Sequence, residues 1–395
     1  MKKMNVAIIG AKFMGRAHSS AWSRVHRFFD VPIEPVMKVV CGRPNEELQK
    51  FAETWGWESI SHDWKETVNR PDIDIVDIVT PTFLHHEVAI EAAKAGKHVL
   101  CEKPIALTHQ QAVEMCEAAE KAAIVHYLNH NYRRCPAVSL AKQFIDEGRL
   151  GRLFHWRSAY LQSWIVDPEF PLTWQLRKET AGSGAHADLN SHLVDLARYL
   201  VGDITQVTAM TAQFIKERPL PDEDSSGAFK AGKTVGARGK GQVTVDDAAF
   251  MLTQFENGAL GSFEATRFAL GRKNYNTFEI YGSKGSLGFN VERMNELNFF
   301  SADDPESAQG FRNILVTEPV HPYLNAWWPP GHIIGYEHTF VNAMADFLKA
   351  IDSGAKAEPN FVDGVKEMEI LDAALESART GRAIEVTGRT VGEPV

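Results

Sequence analysis

The chain has 395 residues, of which 42 are Lys or Arg and 51 are Asp or Glu, so its formal net charge is −9 at pH 7. With 44% hydrophobic and 24% charged residues it has an ordinary globular composition, which excludes disordered and collagen-like chains. The acidic balance and the absence of a long basic run argue against nucleic acid or a membrane surface as a partner. The four cysteines form no Cys-x-x-Cys pair, so the sequence indicates neither a disulfide framework nor a thiolate zinc site; they are Cys41, Cys101, Cys116 and Cys135. This use of cysteine is expected of a protein in the reducing cytoplasm.

The first third of the chain alternates short β-branched runs with amphipathic stretches, the pattern of βαβ units around a parallel sheet. We predict an α/β Rossmann dinucleotide-binding domain over residues 1–127. Its strands are predicted at Val6–Ile9, Val36–Val40, Ile75–Val79, His98–Cys101 and Ile124–Tyr127. Its helices are predicted at Met14–Phe29, Asn45–Trp55, His85–Ala95 and Thr108–Lys121.

A glycine-containing turn joins the first strand to the first helix, which is the context of a dinucleotide fingerprint. Glycines allow a tight turn, and the N–H groups at the helix start favour a pyrophosphate. Lys12 occupies the position of the usual middle glycine, so the turn alone is equally compatible with a plain strand-to-helix connection. The cofactor contacts predicted here are Gly10, Lys12, Phe13, Met14 and Gly15.

The second strand ends in Cys41-Gly42-Arg43 and lacks the acidic residue that normally binds the ribose 2′-hydroxyl of NAD. Arg43 would pair with a 2′-phosphate or stack on the adenine, or it is simply a solvated loop residue. We therefore predict NAD(H) or NADP(H) as cofactor and leave the preference open.

Two further strands end in polar turns, Thr80-Pro81-Thr82-Phe83-Leu84-His85 and Cys101-Glu102-Lys103-Pro104. Ligands of open α/β sheets bind at the carboxyl ends of strands, so both turns are candidates for the site. Pro104 disfavours a helical Lys103 and should project this lysine from a stiff element. An ordinary surface lysine is the alternative interpretation.

Residues 128–395 are predicted to form an α+β domain with a large, mostly antiparallel sheet. Between Lys216 and Gln242, Pro, Gly, Asp and Lys crowd together without periodicity, which indicates a long loop or a subunit-bridging arm. The strands predicted by period-two alternation are Leu153–Leu161, Val207–Phe214, Ala248–Phe255, Leu260–Phe268 and Tyr275–Tyr281. The predicted helices are Ala137–Glu147, Leu189–Leu200, Tyr336–Asp352 and Val365–Thr380.

Asp188, His192 and Asp195 follow one another at helical spacing and should share one face. An Asp one turn before a His can orient the imidazole as a general base for an alcohol, although a capped helix with a buried histidine is the simpler interpretation. We also considered a metal site at His186, Asp188 and His192 with a further histidine. No Cys-rich or His-Glu-x-x-His signal supports it, so no metal is predicted.

Taken in order, the Gly10–Gly15 turn, Glu102-Lys103-Pro104 and Asp188-x-x-x-His192 resemble the Gfo/Idh/MocA family of oxidoreductases, which includes glucose–fructose oxidoreductase and inositol dehydrogenase. The resemblance covers nearly the whole chain, including the stretch 278–286. The stretches 131–134, 161–164, 181–184 and 197–203 are most similar to members that oxidise a ring hydroxyl of an anhydrosugar, at C3, to a ketone.

The resemblance implies an NAD(P)-dependent enzyme that oxidises a secondary ring hydroxyl of a sugar, anhydrosugar or cyclitol and forms a homodimer or homotetramer. It implies that residues 128–395 are the substrate-binding and oligomerisation domain and that their sheet is open. It implies Lys103, Asp188 and His192 as the catalytic group. The cofactor contacts that it adds are Thr80, Pro81, Thr82, Leu84, His85, Glu102, Lys103 and Asn131. The sugar pocket that it implies consists of the catalytic group with Tyr132, Gln162, Trp164, Trp174, Arg177 and Lys178.

Two other functions are compatible with these motifs. The first is an NAD-dependent glycosidase that retains its cofactor and acts through a 3-keto intermediate. The second is a non-catalytic dinucleotide sensor on the same fold, which would not need the Lys, Asp and His group.

Overall fold

The computed structural model describes residues 1–44, 46–221 and 239–387, and the chain forms two compact units. Among the described residues, the first contains Met1–Asn131 and Gly335–Met368, and the second contains Tyr132–Ile334 and residues 369–387. The predicted division placed all of 128–395 in the second domain. The structure differs because the helix that begins at Tyr336 packs on the first helix of the chain.

The first unit is built on a parallel sheet of six strands in the order β3-β2-β1-β4-β5-β6. Val6, Ile8, Ile75 and Val99 are all fully buried, as expected of a sheet covered on both faces. The third strand was not predicted because Ser59-Ile60-Ser61 contains no apolar run. The strands are β1 (Lys2–Ile9), β2 (Ile33–Cys41), β3 (Ser59–Ser61), β4 (Ile75–Ile78), β5 (His98–Glu102) and β6 (His126–Asn129).

The first predicted helix is divided in two after Trp22. The hydroxyl of Ser23 donates to the carbonyl oxygen of Ser20 at 2.9 Å and so competes with the helical backbone there. In the described ranges, no helix is long and apolar enough to cross a membrane. The helices are α1 (Phe13–Trp22), α2 (Val25–Phe28), α3 (Glu46–Trp55), α4 (Trp64–Val68), α5 (His85–Lys94), α6 (His109–Lys121), α7 (Pro136–Asp146), α8 (Lys178–Ala181), α9 (Ser191–Leu200), α10 (Tyr336–Ser353) and α11 (Phe361–Thr380).

The described part of the second unit contains a nine-stranded sheet in the order β16-β15-β14-β13-β7-β12-β11-β8-β17. Only the β7–β12 pair is parallel among these strands, so the predicted mostly antiparallel sheet is confirmed. The strands are β7 (Leu153–Leu161), β8 (Ile204–Ala212), β11 (Ala248–Phe255), β12 (Leu260–Thr266), β13 (Tyr275–Gly282), β14 (Gly285–Asn290), β15 (Glu296–Ser301), β16 (Arg312–Leu315) and β17 (Ile384–Glu385).

A two-stranded ribbon closes the ends of the segment that was predicted as a loop or arm. β9 (Glu217–Pro219) pairs antiparallel with β10 (Lys240–Gln242). The loop interpretation is therefore wrong at the two ends of the segment, whereas the subunit-bridging arm stays a prediction. Residues 222–238, between the two strands, lie outside the described residues.

Candidate active site

The glycines of the first turn let β1 and α1 approach each other closely. Gly10 has a backbone φ of +120°, and a Cβ atom on it would lie 2.8 Å from the carbonyl oxygen of Val79. A Cβ atom on Gly15 would lie 2.7 Å from the carbonyl oxygen of Gly10. Both positions therefore require glycine, since a larger residue would push the helix start away from the strand ends.

The first turn of α1 presents backbone N–H groups to an anion. The helix begins at Phe13, the side chain of Lys12 does not cap it, and its first turn contains no acidic residue. These groups and the positive end of the helix dipole favour a phosphate. Partial desolvation and then the guanidinium of Arg43 lower the pKa of Lys12, so two basic side chains lie near each other beside this turn.

The turns that follow β4 and β5 are joined by His85. Its Nδ1 atom lies 3.0 Å from the carbonyl oxygen of Pro104 and its Nε2 atom lies 2.9 Å from that of Thr80. The residue is buried, and this burial lowers its pKa. Lys103 donates its backbone N–H to Oε2 of Glu102 at 3.2 Å. The two predicted turns therefore meet at the ends of adjacent parallel strands.

The donor groups of the first unit fit a dinucleotide. The hydroxyl oxygen of Thr80 is buried and has no hydrogen-bond partner among the described residues, and an unsatisfied hydroxyl at a strand end calls for a ligand. Thr80, the start of α1 and the Glu102–Lys103 turn would hold the cofactor. Of the other predicted contacts, Pro81, Thr82 and Leu84 form the short helical turn between β4 and α5, and Asn131 donates to the hydroxyl of Thr339 at 2.9 Å.

In the second unit, Asp188 lies in a π-helical turn rather than in the regular α-helix that its spacing predicts. The turn spans His186–Asn190, and α9 follows it directly. The carboxylate of Asp246 anchors the start of the turn, since it accepts the N–H of Gly184 at 2.7 Å and that of His186 at 2.8 Å. Such turns are rare and occur frequently at functional sites.

Arg267 holds the carboxylate of Asp188 in one orientation. Its Nη2 atom donates to Oδ2 of Asp188 at 2.8 Å and to the carbonyl oxygen of Gly184 at 3.2 Å. Arg267 is only 1% exposed, and its guanidinium carbon lies 5.3 Å from the centre of the Trp164 ring. One buried cation therefore contacts both a predicted catalytic residue and a predicted pocket residue.

His192 lies among aromatic side chains of the second unit. Its ring centre is 4.7 Å from that of Tyr132 and 5.8 Å from that of Tyr160, and the two tyrosine hydroxyls are 3.1 Å apart. Burial raises the pKa of Tyr132 to about 12, so this phenol is neutral at physiological pH. The histidine thus packs against the rings of two tyrosines, whose hydroxyl groups can both donate and accept hydrogen bonds.

Asn274 connects the polar groups around this aromatic cluster. Its Oδ1 atom accepts from the hydroxyl of Tyr160 at 2.6 Å and from Nε2 of Gln162 at 3.1 Å, and its Nδ2 atom donates to the hydroxyl of Tyr132 at 3.2 Å. The indole of Trp164 donates to Oε1 of Gln162 at 2.8 Å. The structure thus brings Tyr132, Gln162, Trp164 and His192 into one hydrogen-bonded and ring-packed cluster.

Other predicted pocket residues lie on a separate segment of the second unit. Trp174 begins a short helical turn, and Arg177 and Lys178 follow at the start of α8. His186, which was considered as a metal ligand, has its ring nitrogens 2.9 Å from the carbonyl oxygen of Leu371 and 3.1 Å from Nδ2 of Asn190. Its ring is therefore engaged in bonds within the protein.

Sequence reasoning missed Tyr160, Arg267 and Asn274 of these networks, and it also missed His18 and Asp77, which are hydrogen-bonded to each other in the first unit. Two of them carried a signal. Asp77 interrupts the apolar strand Ile75–Ile78, and Arg267 follows β12 directly. A charged residue within an apolar strand, such as Asp77, requires a partner when it is buried, and the same holds for Arg267, which lies just beyond β12 and is 1% exposed.

Comparison with known proteins places these features in a family. Residues 4–130 match the oxidoreductase family with an NAD-binding Rossmann fold, and residues 138–288 match the GFO/IDH/MocA C-terminal domain. The chain belongs to the GFO/IDH/MocA family of oxidoreductases. The predicted family, enzyme class, nicotinamide cofactor and fold class are thereby confirmed.

Individual members of the GFO/IDH/MocA family resemble the chain over almost its full length. Levoglucosan dehydrogenase of Pseudarthrobacter phenanthrenivorans is 45% identical over 389 residues, which cover 98% of this chain and 99% of the relative. A solved complex of levoglucosan dehydrogenase with NADH and levoglucosan superposes with a TM-score of 0.91 at 44% identity, covering 98% of this chain and 100% of that chain. An oxidoreductase domain protein from Kribbella flavida gives 0.92 at 46% identity, with 98% and 100% covered.

Proposed function

We propose that this chain oxidises a secondary ring hydroxyl of a sugar, anhydrosugar or cyclitol to a ketone and passes the hydride to NAD or NADP. The observation that carries the proposal is the cluster around His192 in the second unit. Its phenol, amide and indole groups can bind several hydroxyls of a polyol at once, while the aromatic faces pack on the C–H faces of a sugar ring. The names of the similar solved complexes support the same substrate class.

His192 is proposed to accept the proton of the reacting hydroxyl. A histidine titrates near neutral pH, whereas a lysine is mostly protonated there, so the imidazole is the better base. Asp188, held by Arg267 at 2.8 Å, would orient the imidazole or the substrate, and Lys103 would donate a hydrogen bond to the substrate oxygen. The bound dinucleotide supplies the hydride acceptor.

The pair of basic residues beside the first turn bears on the choice of cofactor. Arg43 lies close enough to Lys12 to lower its pKa, and β2 ends without an acidic residue. We propose that these two cations tolerate a 2′-phosphate, so that NADP is accepted beside NAD. Arg43→Ala should then reduce kcat/KM for NADP by a larger factor than for NAD. Equal reductions would remove Arg43 from cofactor selection.

A homodimer or homotetramer is proposed through the exposed face of the second-unit sheet. Met210 on β8 lies opposite Phe250 on β11, and Leu252 shares that face. These side chains are 74%, 46% and 65% exposed, an apolar patch that favours association. Leu252→Glu should shift the sedimentation coefficient toward that of a monomer. An unchanged coefficient would exclude this face as the main interface.

The activity is tested with purified protein, NAD or NADP, and a panel of levoglucosan, glucose, methyl glucosides, xylose and myo-inositol. The near-ultraviolet absorbance of the reduced cofactor should rise with one class of sugar. Release of an aglycone without reduced cofactor would instead indicate the glycosidase. Cofactor binding without any turnover would indicate the sensor.

The catalytic group is tested with Lys103→Met and His192→Asn, each compared with a control of the same chemistry at an exposed site, Lys50→Met and His155→Asn. Turnover should fall by more than about tenfold in the first two variants while cofactor binding survives. The controls should behave like the parent enzyme. Turnover of Lys103→Met or His192→Asn close to the parent would remove that residue from the mechanism.

A further inference from the structure

A buried polar cluster of the first unit has no assigned role. His18, on α1, places Nδ1 at 2.9 and 3.0 Å from the two carboxylate oxygens of Asp77 on β4. Its other ring nitrogen, Nε2, lies 2.9 Å from Oε1 of Glu102 at the end of β5. The side chains of His18 and Asp77 are completely buried, and that of Glu102 is 6% exposed. Three elements of the dinucleotide-binding unit thus converge on one imidazole ring.

The carboxylates around the ring favour its protonated form. Asp77 and Glu102 each face one ring nitrogen, and an ionised carboxylate accepts a hydrogen bond only from a nitrogen that carries a hydrogen. Asn129 also lies beside the ring, with its Nδ2 atom 3.1 Å from Nε2 of His18. Burial by itself would lower the pKa of His18, but the adjacent carboxylates of Asp77 and Glu102 outweigh it and raise this pKa to about 10. His18 is therefore an imidazolium throughout the physiological range.

The positive ring also keeps Glu102 ionised. Burial by itself would raise the pKa of this carboxyl. The hydrogen bond from His18 and the positive charge of its ring outweigh burial, and the hydrogen bond that Nδ2 of Asn129 donates to Oε1 at 2.6 Å adds to their effect. The pKa of Glu102 therefore lies below its ordinary value. The second oxygen, Oε2, accepts the backbone N–H of Lys103 at 3.2 Å. An ionised Glu102 thus binds the ring through one oxygen and the Lys103 turn through the other.

Other groups around the ring leave this charge balance intact. The indole of Trp22 donates to Oδ2 of Asp77 at 2.7 Å, and the ring of Phe340 on α10 packs 5.4 Å from that of His18. Cys101, next to Glu102, is a buried thiol whose pKa burial raises. The charged groups recorded around His18 in the described part of the unit are therefore two carboxylates and, beyond Glu102, Lys103.

We infer that His18 is a positioning residue, which connects the helix of the glycine turn to the Glu102–Lys103 turn by bonding Asp77 and Glu102 through its two ring nitrogens. The inference rests on the proposed function in one respect, because the proposed function is what assigns Lys103 to the reaction. Without the ring, Glu102 is a buried carboxylate that has lost its cation, so its pKa rises and it takes up a proton in mildly acidic solution. A protonated Glu102 no longer holds both turns.

The test is the affinity for NADH, measured by its fluorescence between about pH 6 and about pH 8, which spans the expected titration. The variants are His18→Gln, the double variant with Glu102→Gln, and the matched control His155→Gln, which makes the same substitution at an exposed histidine of the second unit. In His18→Gln, affinity should fall about tenfold on acidification, the size of one lost hydrogen bond to a charged group. The parent and His155→Gln should vary by less than about twofold.

The double variant decides between positioning and mere stabilisation, because Glu102→Gln cannot titrate and should abolish the new pH dependence. A His18→Gln enzyme that melts at lower temperature but binds NADH independently of pH would overturn the inference. If His18→Gln does not fold, the protonation state of the His18 ring is measured instead, by nitrogen NMR of the parent enzyme labelled at histidine. A neutral His18 ring in that measurement would equally overturn the inference. These measurements need no sugar, so a failure to oxidise any sugar would refute the proposed function separately.

Discussion

Gly184→Ala should displace the π-helical turn that carries Asp188. A Cβ atom on Gly184 would lie 1.8 Å from the carbonyl oxygen and 2.8 Å from the carbonyl carbon of Asp246. Both atoms belong to the backbone, so no side chain can rotate away to make room. To reach a distance that folded proteins tolerate, the two segments must separate by about 1 Å or more.

The separation breaks hydrogen bonds whose energies can be estimated. The carboxylate of Asp246 accepts from Gly184 at 2.7 Å and from His186 at 2.8 Å, and its backbone carbonyl accepts from Ala185 at 3.2 Å. Losing all three would cost about 4 to 7 kcal/mol, and a relaxation that keeps one carboxylate bond reduces this to about 2 to 4 kcal/mol. Domains of this kind are stable by only about 5 to 15 kcal/mol, so the variant should be visibly destabilised.

The assay is urea denaturation together with turnover on the sugar identified for the parent. Gly310→Ala is the control, because a Cβ atom there would meet nothing within 4 Å. The carbonyl oxygen of Gly184 also accepts from Arg267 at 3.2 Å, so the displacement should reach the pair of Arg267 and Asp188 and lower turnover. NADH affinity should persist, since Gly184 belongs to the second unit. Unfolding midpoint and turnover equal to those of Gly310→Ala would refute this reasoning.

Three further predictions follow from particular contacts. Gly15→Ala should weaken NADH binding by about tenfold or more, as calorimetry would show, because its Cβ atom would lie 2.7 Å from the carbonyl oxygen of Gly10; an unaltered dissociation constant would contradict this. Arg267→Met should lower kcat by about tenfold or more and Arg267→Lys by less, because only lysine retains a cation beside Asp188; equal losses would exclude that role. The pKa of His18 is raised in the folded state to about 10, so its stabilisation is complete below about pH 6.5 and is lost as the pH rises through about 10. His18→Gln should lack this alkaline component in urea titrations across that range, and a parent-like decline in the variant would assign it to another group.

Local sequence determined the strand and helix pattern of the first unit and the turns at its strand ends. Gly10 and Gly15 are required by close backbone approaches within a few residues of chain, and alternation of β-branched runs with amphipathic stretches produces the parallel sheet. The apolar face of α9 and of the turn before it could also be predicted from the spacing of its leucines. All four are at most 2% exposed: Leu189, Leu193, Leu196 and Leu200. Periodicity predicts such features because each depends on near neighbours in the chain.

Strands without a strong local pattern were not predictable in the same way. Ser59–Ser61, Gly285–Asn290 and Arg312–Leu315 are short and lack an extended apolar alternation, and they form because established neighbouring strands offer an edge to pair with. β-structure depends on such context more than on intrinsic preference. The π-helical turn at His186–Asn190 is of the same kind, since it depends on the carboxylate of Asp246, which is 60 residues from His186 along the chain.

The partners of the charged side chains were decided by the tertiary structure alone. His18 meets Asp77 59 residues later and Glu102 84 residues later, while Asp188 meets Arg267 79 residues later. The sequence by itself determined which residues were chemically able to serve a nicotinamide enzyme. Only folding decided which of them pair, because the energy of a buried charge depends on the distance to its counter-charge, and no local pattern encodes that distance.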